Sequence, residues 1–349
     1  MILALTDLKE ALPLVMSHSR RWTKAAAFSA SAALVLLLLA AALAYGAKDV
    51  SLPVIWEALT AYDPSLPEHA AIHGLRLPRA LAALLVGASL GAAGALVQGA
   101  TRNALADPGV LGINAGAALA VVLCFALSPW MGYGLVMLAS FGGAAAATAV
   151  IALLAWLSRG GFATLELTIG GAVVSAMAHS LAVGLAIYFE LSQDLAFWYA
   201  GGLAAVRWEQ LRLLAPVLVL GLLLAVLLGR RLSLLSLGDE AAEGLGARTG
   251  RTRLAALGLM AVLAGASVSA AGSIGFIGLI APHAARRLAG TDYRLVVPLS
   301  ALLGAALLLA ADLASRTVQP PREFAVGAMA AFVGVPFFLY LARRERREL

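Results

Sequence analysis

Residues 80–100 read ALAALLVGASLGAAGALVQGA, twenty-one positions without a charged side chain. A hydrocarbon core about 30 Å thick takes roughly 20 helical residues to cross. Gly87, Gly91 and Gly94 are spaced by four and three, so they share one helical face. A face of small residues lets another helix come close where lipid offers no hydrophobic drive. Similar runs lie outward from this one, at 25–45, 110–128, 133–157, 167–189, 213–229, 294–314 and 325–342. Residues 254–285 are apolar but too long for one straight span, and Gly272, Ser273 and Gly275 interrupt them. They divide into a helix at 254–271 and a shorter one at 274–288. The expectation is an all-α polytopic membrane protein of about ten transmembrane helices. The stretch 46–78, with Pro53, Pro64 and Pro67, is read as a loop outside the membrane.

Composition agrees. The chain has 349 residues, 62% hydrophobic and 13% charged, with mean hydropathy +0.91. A soluble domain is about half apolar and a quarter charged, so a water-soluble enzyme is excluded. The single cysteine, Cys124, excludes an internal disulfide and a multi-cysteine metal site. The net charge of +6 is better explained by basic loops facing an anionic leaflet than by nucleic acid. With the N-terminus inside, 18 of the 25 lysines and arginines fall on inner segments. The positive-inside rule therefore favours ten spans with both termini cytoplasmic. That gives a cytoplasmic segment 1–24, a transmembrane region 25–343 with a charged inner loop at 230–253, and a cytoplasmic tail 344–349. The run after residue 24 is too long for a signal-peptide core.

The spans hold little chemistry. Ionisable groups at mid-membrane are the usual mark of ion coupling. Here only His179 is well inside a span, while Asp312 and Glu166 sit at helix ends. Asp312 can pair with Arg316, four residues on. Residues 87–91 spell G-x-S-x-G, which in hydrolases needs a strand-to-helix elbow; here it lies inside a continuous apolar helix. An intramembrane serine hydrolase would use Ser89 with His179 or His283 as base. The only lysines are Lys9, Lys24 and Lys48, and no phosphate-binding loop of the G-x-x-x-x-G-K-[ST] type exists. Any ATP-driven role takes its motor from another polypeptide. No catalytic residue and no metal ligand is assigned.

The ends of the spans are more informative. Arg76, Arg79 and Arg316 form a basic outer rim, suited either to docking a protein rich in carboxylates or to interfacial anchoring. On the inner side, GDEAAEGLG (238–246) reads as a short amphipathic helix, its acids at the positive end of the dipole and Gly246 at the stop. Its apolar face would cover either the bundle or a partner.

These residues bring out a family pattern. The chain resembles the permease subunits of binding-protein-dependent ABC importers for iron–siderophore, haem and cobalamin, the FecCD type. The matching motifs are RLPR (76–79), Gln98 with RNALADP (102–108), LGINAGA (111–117) and the 238–246 segment. GFIGLIAPH (275–283), GTDYR (290–294), Asp312 with Arg316, Glu323 and GVPFF (334–338) complete the set. Ala104 and Ala325 stand where the family usually or often has proline.

The resemblance implies a type II importer. Two permeases, a homodimer or this chain with a sister subunit, would enclose the path. Two cytoplasmic ATPases, which hold the ATP and Mg, would dock on Gly238, Asp239, Glu240, Ala241, Glu243, Leu245 and Gly246. A periplasmic substrate-binding protein would meet Arg76, Arg79 and Arg316. Asn103, Leu105, Leu165 and Thr168 would line the inner gate. The chain would sit in the bacterial inner membrane, bind no cofactor itself and catalyse no bond chemistry. The 111–117 motif looks closest to ferric-siderophore permeases, with haem or cobalamin as alternatives. An ion-coupled carrier and a serine hydrolase are the readings from other classes.

Overall fold

The computed structural model describes the backbone of residues 3–46, 48–128, 130–157, 164–320 and 322–345, and every element among them is helical. In chain order these are α1 (Leu3–Ala44), α2 (Leu52–Thr60), α3 (Pro67–Ala71), α4 (Leu77–Thr101), α5 (Ile113–Leu127), α6 (Tyr133–Leu157), α7 (Thr164–Tyr188) and α8 (Ser192–Ala200). Then come α9 (Trp208–Leu235), α10 (Asp239–Gly244), α11 (Thr249–Ala271), α12 (Ile277–Ala289), α13 (Tyr293–Thr317) and α14 (Val326–Glu345). A π-helical turn at Ile72–Arg76 joins α3 to α4, and a 3-10 turn at Pro108–Leu111 precedes α5.

Seven helical stretches among the described residues are long and apolar enough to cross a membrane, and Ile113–Leu127 and Val326–Leu339 are shorter apolar helices. Large apolar side chains face outward along them, such as Leu220, Leu224 and Leu227 of α9 and Phe332 of α14. Exposed apolar surface on that scale is stable only against lipid or another protein.

α4 is the central helix, packed against α13, α11, α9 and α12. Its small face makes this possible. A Cβ on Gly87 would lie 2.5 Å from the Gly304 carbonyl oxygen, and one on Gly91 would run into the Ser300 carbonyl. The backbones of α4 and α13 therefore touch directly.

The structure corrects three expectations. Residues 46–78 are not a loop: they contain α2, α3 and the π turn, and Pro67–Thr101 is one helical rod of 35 residues. Such a rod is about 52 Å long, well over the hydrocarbon thickness, so its first turns project beyond it. Pro53 and Pro67 each occupy one of the first two positions of a helix, where a missing N–H costs nothing, and Pro78 lies inside the rod just after the π turn. Second, the span read at 25–45 agrees with the apolar stretch Thr23–Ala44, but the helix that carries it begins at Leu3. Third, the interval between the runs at 167–189 and 213–229, where the sequence offers no element, contains α8. The division of 254–288 is as read, although α12 starts only at Ile277.

Candidate functional site: two charged ends of one bundle

One end gathers Arg76, Arg79, Asp312, Arg316 and Glu323. Arg79, 9% exposed, donates from Nε to Asp312 Oδ1 at 2.8 Å and from Nη1 to Glu323 Oε2 at 2.8 Å. Arg316, 5% exposed, lies 3.2 Å from Asp312 Oδ2. That contact lacks hydrogen-bond geometry and is a charge pair only. Arg316 Nη2 also donates to the Ala42 carbonyl at 3.0 Å. Buried Asp312 thus faces two guanidiniums, which is what a charge removed from water requires. Arg76 Nη1 donates to the carbonyls of Leu43 (2.7 Å) and Ala44 (2.9 Å), and its Nη2 donates to that of Lys48. It holds the end of α1, whose last carbonyls have no helical partner.

The basic rim read from the sequence is therefore not a row of free cations. Each of the three guanidiniums has partners within the chain, and Arg79 and Arg316 are buried. Together they lock α1, α4 and α13 at this end.

The opposite end is built around α10. Gly238 enters it at φ 113° and Gly246 leaves it at φ 79°. The Ala247 N–H bonds back to the Ala242 carbonyl at 2.9 Å and Gly246 to Glu243 at 2.8 Å, a glycine-terminated stop. Ala242 is buried, whereas Glu240, Ala241, Glu243, Leu245 and Gly246 are exposed. The outward surface thus consists of residues read as the ATPase contact. Asp239, half-exposed, is instead engaged by two arginines of the bundle. Arg102 Nη2 donates to its Oδ1, and Arg253 Nη2 lies 3.4 Å from the same oxygen. Arg102 Nε also reaches the Leu235 carbonyl at 2.9 Å, and Arg253 Nε reaches that of Ala100 at 2.9 Å. The carboxylate ties the end of α4 to α11, and Arg102 adds the end of α9.

Arg102 is the left-handed cap of α4, at φ 52°, and leads into the expected gate segment. Asn103 Oδ1 accepts from the Leu105 N–H at 2.9 Å, which shapes the turn. Gln98 braces it, donating from Nε2 to the carbonyls of Ala106 (3.2 Å) and Gly278 (3.3 Å). Arg286 of α12 donates to Gln98 Oε1 at 2.6 Å. Sequence reasoning assigns no site role to Gln98, Arg102, Arg253 or Arg286, although a glutamine inside an apolar helix is a visible signal. Leu165, Glu166 and Thr168 fall at the start of α7; their side chains lie outside the described residues.

Nearby, Asp292 caps α13 through the Arg294 N–H at 3.0 Å and accepts from Ser233 of α9 at 2.8 Å. Burial pulls its pKa up, but the Ser233 hydroxyl and the Arg294 N–H outweigh it and hold the carboxyl below its usual value of 3.8.

No catalytic constellation forms among the described residues. Ser89 Oγ is buried without a hydrogen-bond partner, while His179 Nδ1 pairs with the Tyr199 hydroxyl at 2.8 Å. Among the described residues no cluster of His, Cys, Asp and Glu could hold a metal ion.

The chain is similar to several known transport permeases. The iron(3+)-hydroxamate import system permease protein FhuB of Bacillus subtilis is 45% identical over 320 residues, 91% of this chain and 83% of that protein. The Fe(3+) dicitrate transport system permease protein FecC of Escherichia coli is 41% identical, over 90% of this chain and 95% of its own length. The hemin transport system permease protein HmuU of Yersinia pestis is 40% identical, over 78% and 83%. Among solved structures, an inward-facing conformation of a metal-chelate type ABC transporter superposes with TM-score 0.80 at 27% identity, over 90% of this chain and 98% of that one. The model of the FecCD transport family matches residues 34–344. The chain belongs to the FecCD transport family.

Proposed function

We propose that this chain is the membrane permease of an ABC importer for a ferric siderophore, a multi-pass protein of the bacterial inner membrane. Relatives named for ferric hydroxamate and ferric dicitrate transport support that substrate class, and a haemin relative stands nearby. The observation that carries the mechanism is the junction at Asp239. The exposed face of α10 is a grip for a separate ATPase, and Asp239 links that grip through Arg102 to the segment 102–107. ATP and Mg reside on the ATPase. Its closure shifts α10, and the shift reaches Asn103 and Leu105, which with Leu165 and Thr168 gate the path. Small displacements at such a junction switch packed helices between discrete arrangements.

In this reading ten segments span the membrane, α12 among them, with both termini in the cytoplasm. Two copies, or this chain and a sister subunit, enclose the path. A substrate-binding protein docks at the end bearing α2 and α3. Arg76 is the more accessible of the three arginines there, and Arg79 and Arg316 fix the docking surface from beneath. The chain itself transports and catalyses no bond change.

The test is assembly with the ATPase. Leu245 is 63% exposed, so Leu245→Asp leaves the fold intact. The wild type should co-purify with the ATPase, and Leu245→Asp should weaken the complex at least about tenfold, as for a truncated interface anchor. Equal binding by both would contradict the assignment of α10.

A further inference from the structure

Beside α10 lies a cleft of about 460 Å³, lined by Arg231 and Leu234 of α9, Leu245 and Arg248 of the connecting loop, and Arg251 and Thr252 of α11. All three arginines are exposed. Among the described residues none forms a salt bridge with a carboxylate, and no acidic side chain lines the cleft. Glu243 accepts from the Thr249 hydroxyl instead. This charge is uncompensated, unlike that of Arg102 and Arg253 a short distance away.

The position says what compensates it. Leu220, Leu224 and Leu227 are exposed along α9, and Arg231 continues them at the same spacing of three and four. On α11, Arg251 precedes exposed Leu254 by three residues. The outward apolar stripe of α9 therefore ends in an arginine, and on α11 the exposed Leu254 stands one turn from Arg251, with the cleft between the two helices. That is the order of a phospholipid: acyl chain along the leucines, phosphate at the guanidiniums. Basic pockets between membrane helices on the cytoplasmic side recognise anionic headgroups, and guanidinium forks match phosphate oxygens.

We propose that this cleft binds the phosphate of an acidic phospholipid through Arg231, Arg248 and Arg251, next to the helix that receives the motor. The inference goes beyond the importer reading and rests only on membrane embedding.

The probe is phosphatidylglycerol. The full-length chain is reconstituted in nanodiscs of phosphatidylcholine with a minor phosphatidylglycerol fraction, re-extracted, and its retained lipids are identified by native mass spectrometry. The wild type should retain phosphatidylglycerol selectively. The triple variant Arg231→Gln, Arg248→Gln, Arg251→Gln should lose that selectivity by about tenfold or more, the order expected for removing three cations near an anionic headgroup. Arg212→Gln, an exposed position at the other end of α9, should retain it. Equal melting temperatures show that the variants are folded. Unchanged retention in the triple variant overturns the proposal. So does displacement of the lipid by millimolar inorganic phosphate, which makes the cleft a soluble-anion site. A triple variant that keeps the lipid but no longer binds the ATPase assigns the cleft to the protein partner and also overturns it. The assay measures no transport, so its failure leaves the importer reading untouched.

Discussion

Asp239 and Arg102, 137 residues apart in sequence, meet where α10 lies against the end of α4. The pair joins the helix proposed to receive a motor with the turn that begins the proposed gate segment. Arg253 adds a second guanidinium to the same carboxylate oxygen at 3.4 Å.

Asp239→Asn should therefore uncouple the assembly rather than unfold it. The Arg102 and Asp239 side chains are 33% and 46% exposed, and pairs this exposed contribute less than about 1 kcal/mol. Melting temperature should change little and the ATPase should still bind and hydrolyse ATP, while uptake falls about tenfold or more. Asp239→Glu should recover most of the uptake. Parallel assays of hydrolysis and uptake in proteoliposomes separate the two effects; equal loss of both would place Asp239 in docking alone.

The other end should behave in the opposite way. Arg79→Ala leaves the carboxylate of Asp312, 0% exposed, without its 2.8 Å partner. Breaking a buried pair by removing one member costs about 3–5 kcal/mol. Loss of folded protein on size-exclusion chromatography, recovered in part by Arg79→Lys, which keeps a cation beside Asp312, is the expected result. A stable Arg79→Ala variant would show that the pair is not a lock.

Close approach of α4 and α13 gives a steric prediction. Gly91→Ala places a methyl group against the Ser300 carbonyl, and overpacking of this kind costs about 1–3 kcal/mol. The melting temperature in detergent should drop clearly, whereas Gly134→Ala, where a Cβ meets nothing within 4 Å, should leave it unchanged.

Asp292 yields a pH dependence. Its folded pKa is depressed below 3.8, so its stabilising effect is full above the unfolded value and disappears as pH falls through the folded one. Asp292→Asn keeps the cap acceptor but removes the negative charge at the helix N-terminus, which should cost about 0.3–1 kcal/mol at pH 7. The wild type and variant should converge in acid below the depressed pKa. A constant difference across that range would remove the carboxylate from the explanation.

Much of this is legible in the sequence. Apolar runs disclose the long helices because lipid tolerates few other sequences, and the spacing of Asp312 and Arg316 discloses their pairing. The glycines and acids of 238–246 disclose α10. What stays hidden depends on distant partners. An arginine at the end of a span looks the same whether it faces water or, like Arg79, a carboxylate 233 residues away. The arginine partners of Asp239 are hidden for the same reason. The prolines of 46–78 read as breakers because a proline that opens a helix is told from one that ends it only by the residues on its C-terminal side.

Uptake by proteoliposomes containing the chain, its ATPase and its binding protein tests the central claim most directly. A ferric siderophore carried by that binding protein should enter only with ATP, and a proton or sodium gradient without the ATPase should move none. Uptake by the chain alone under such a gradient would contradict it.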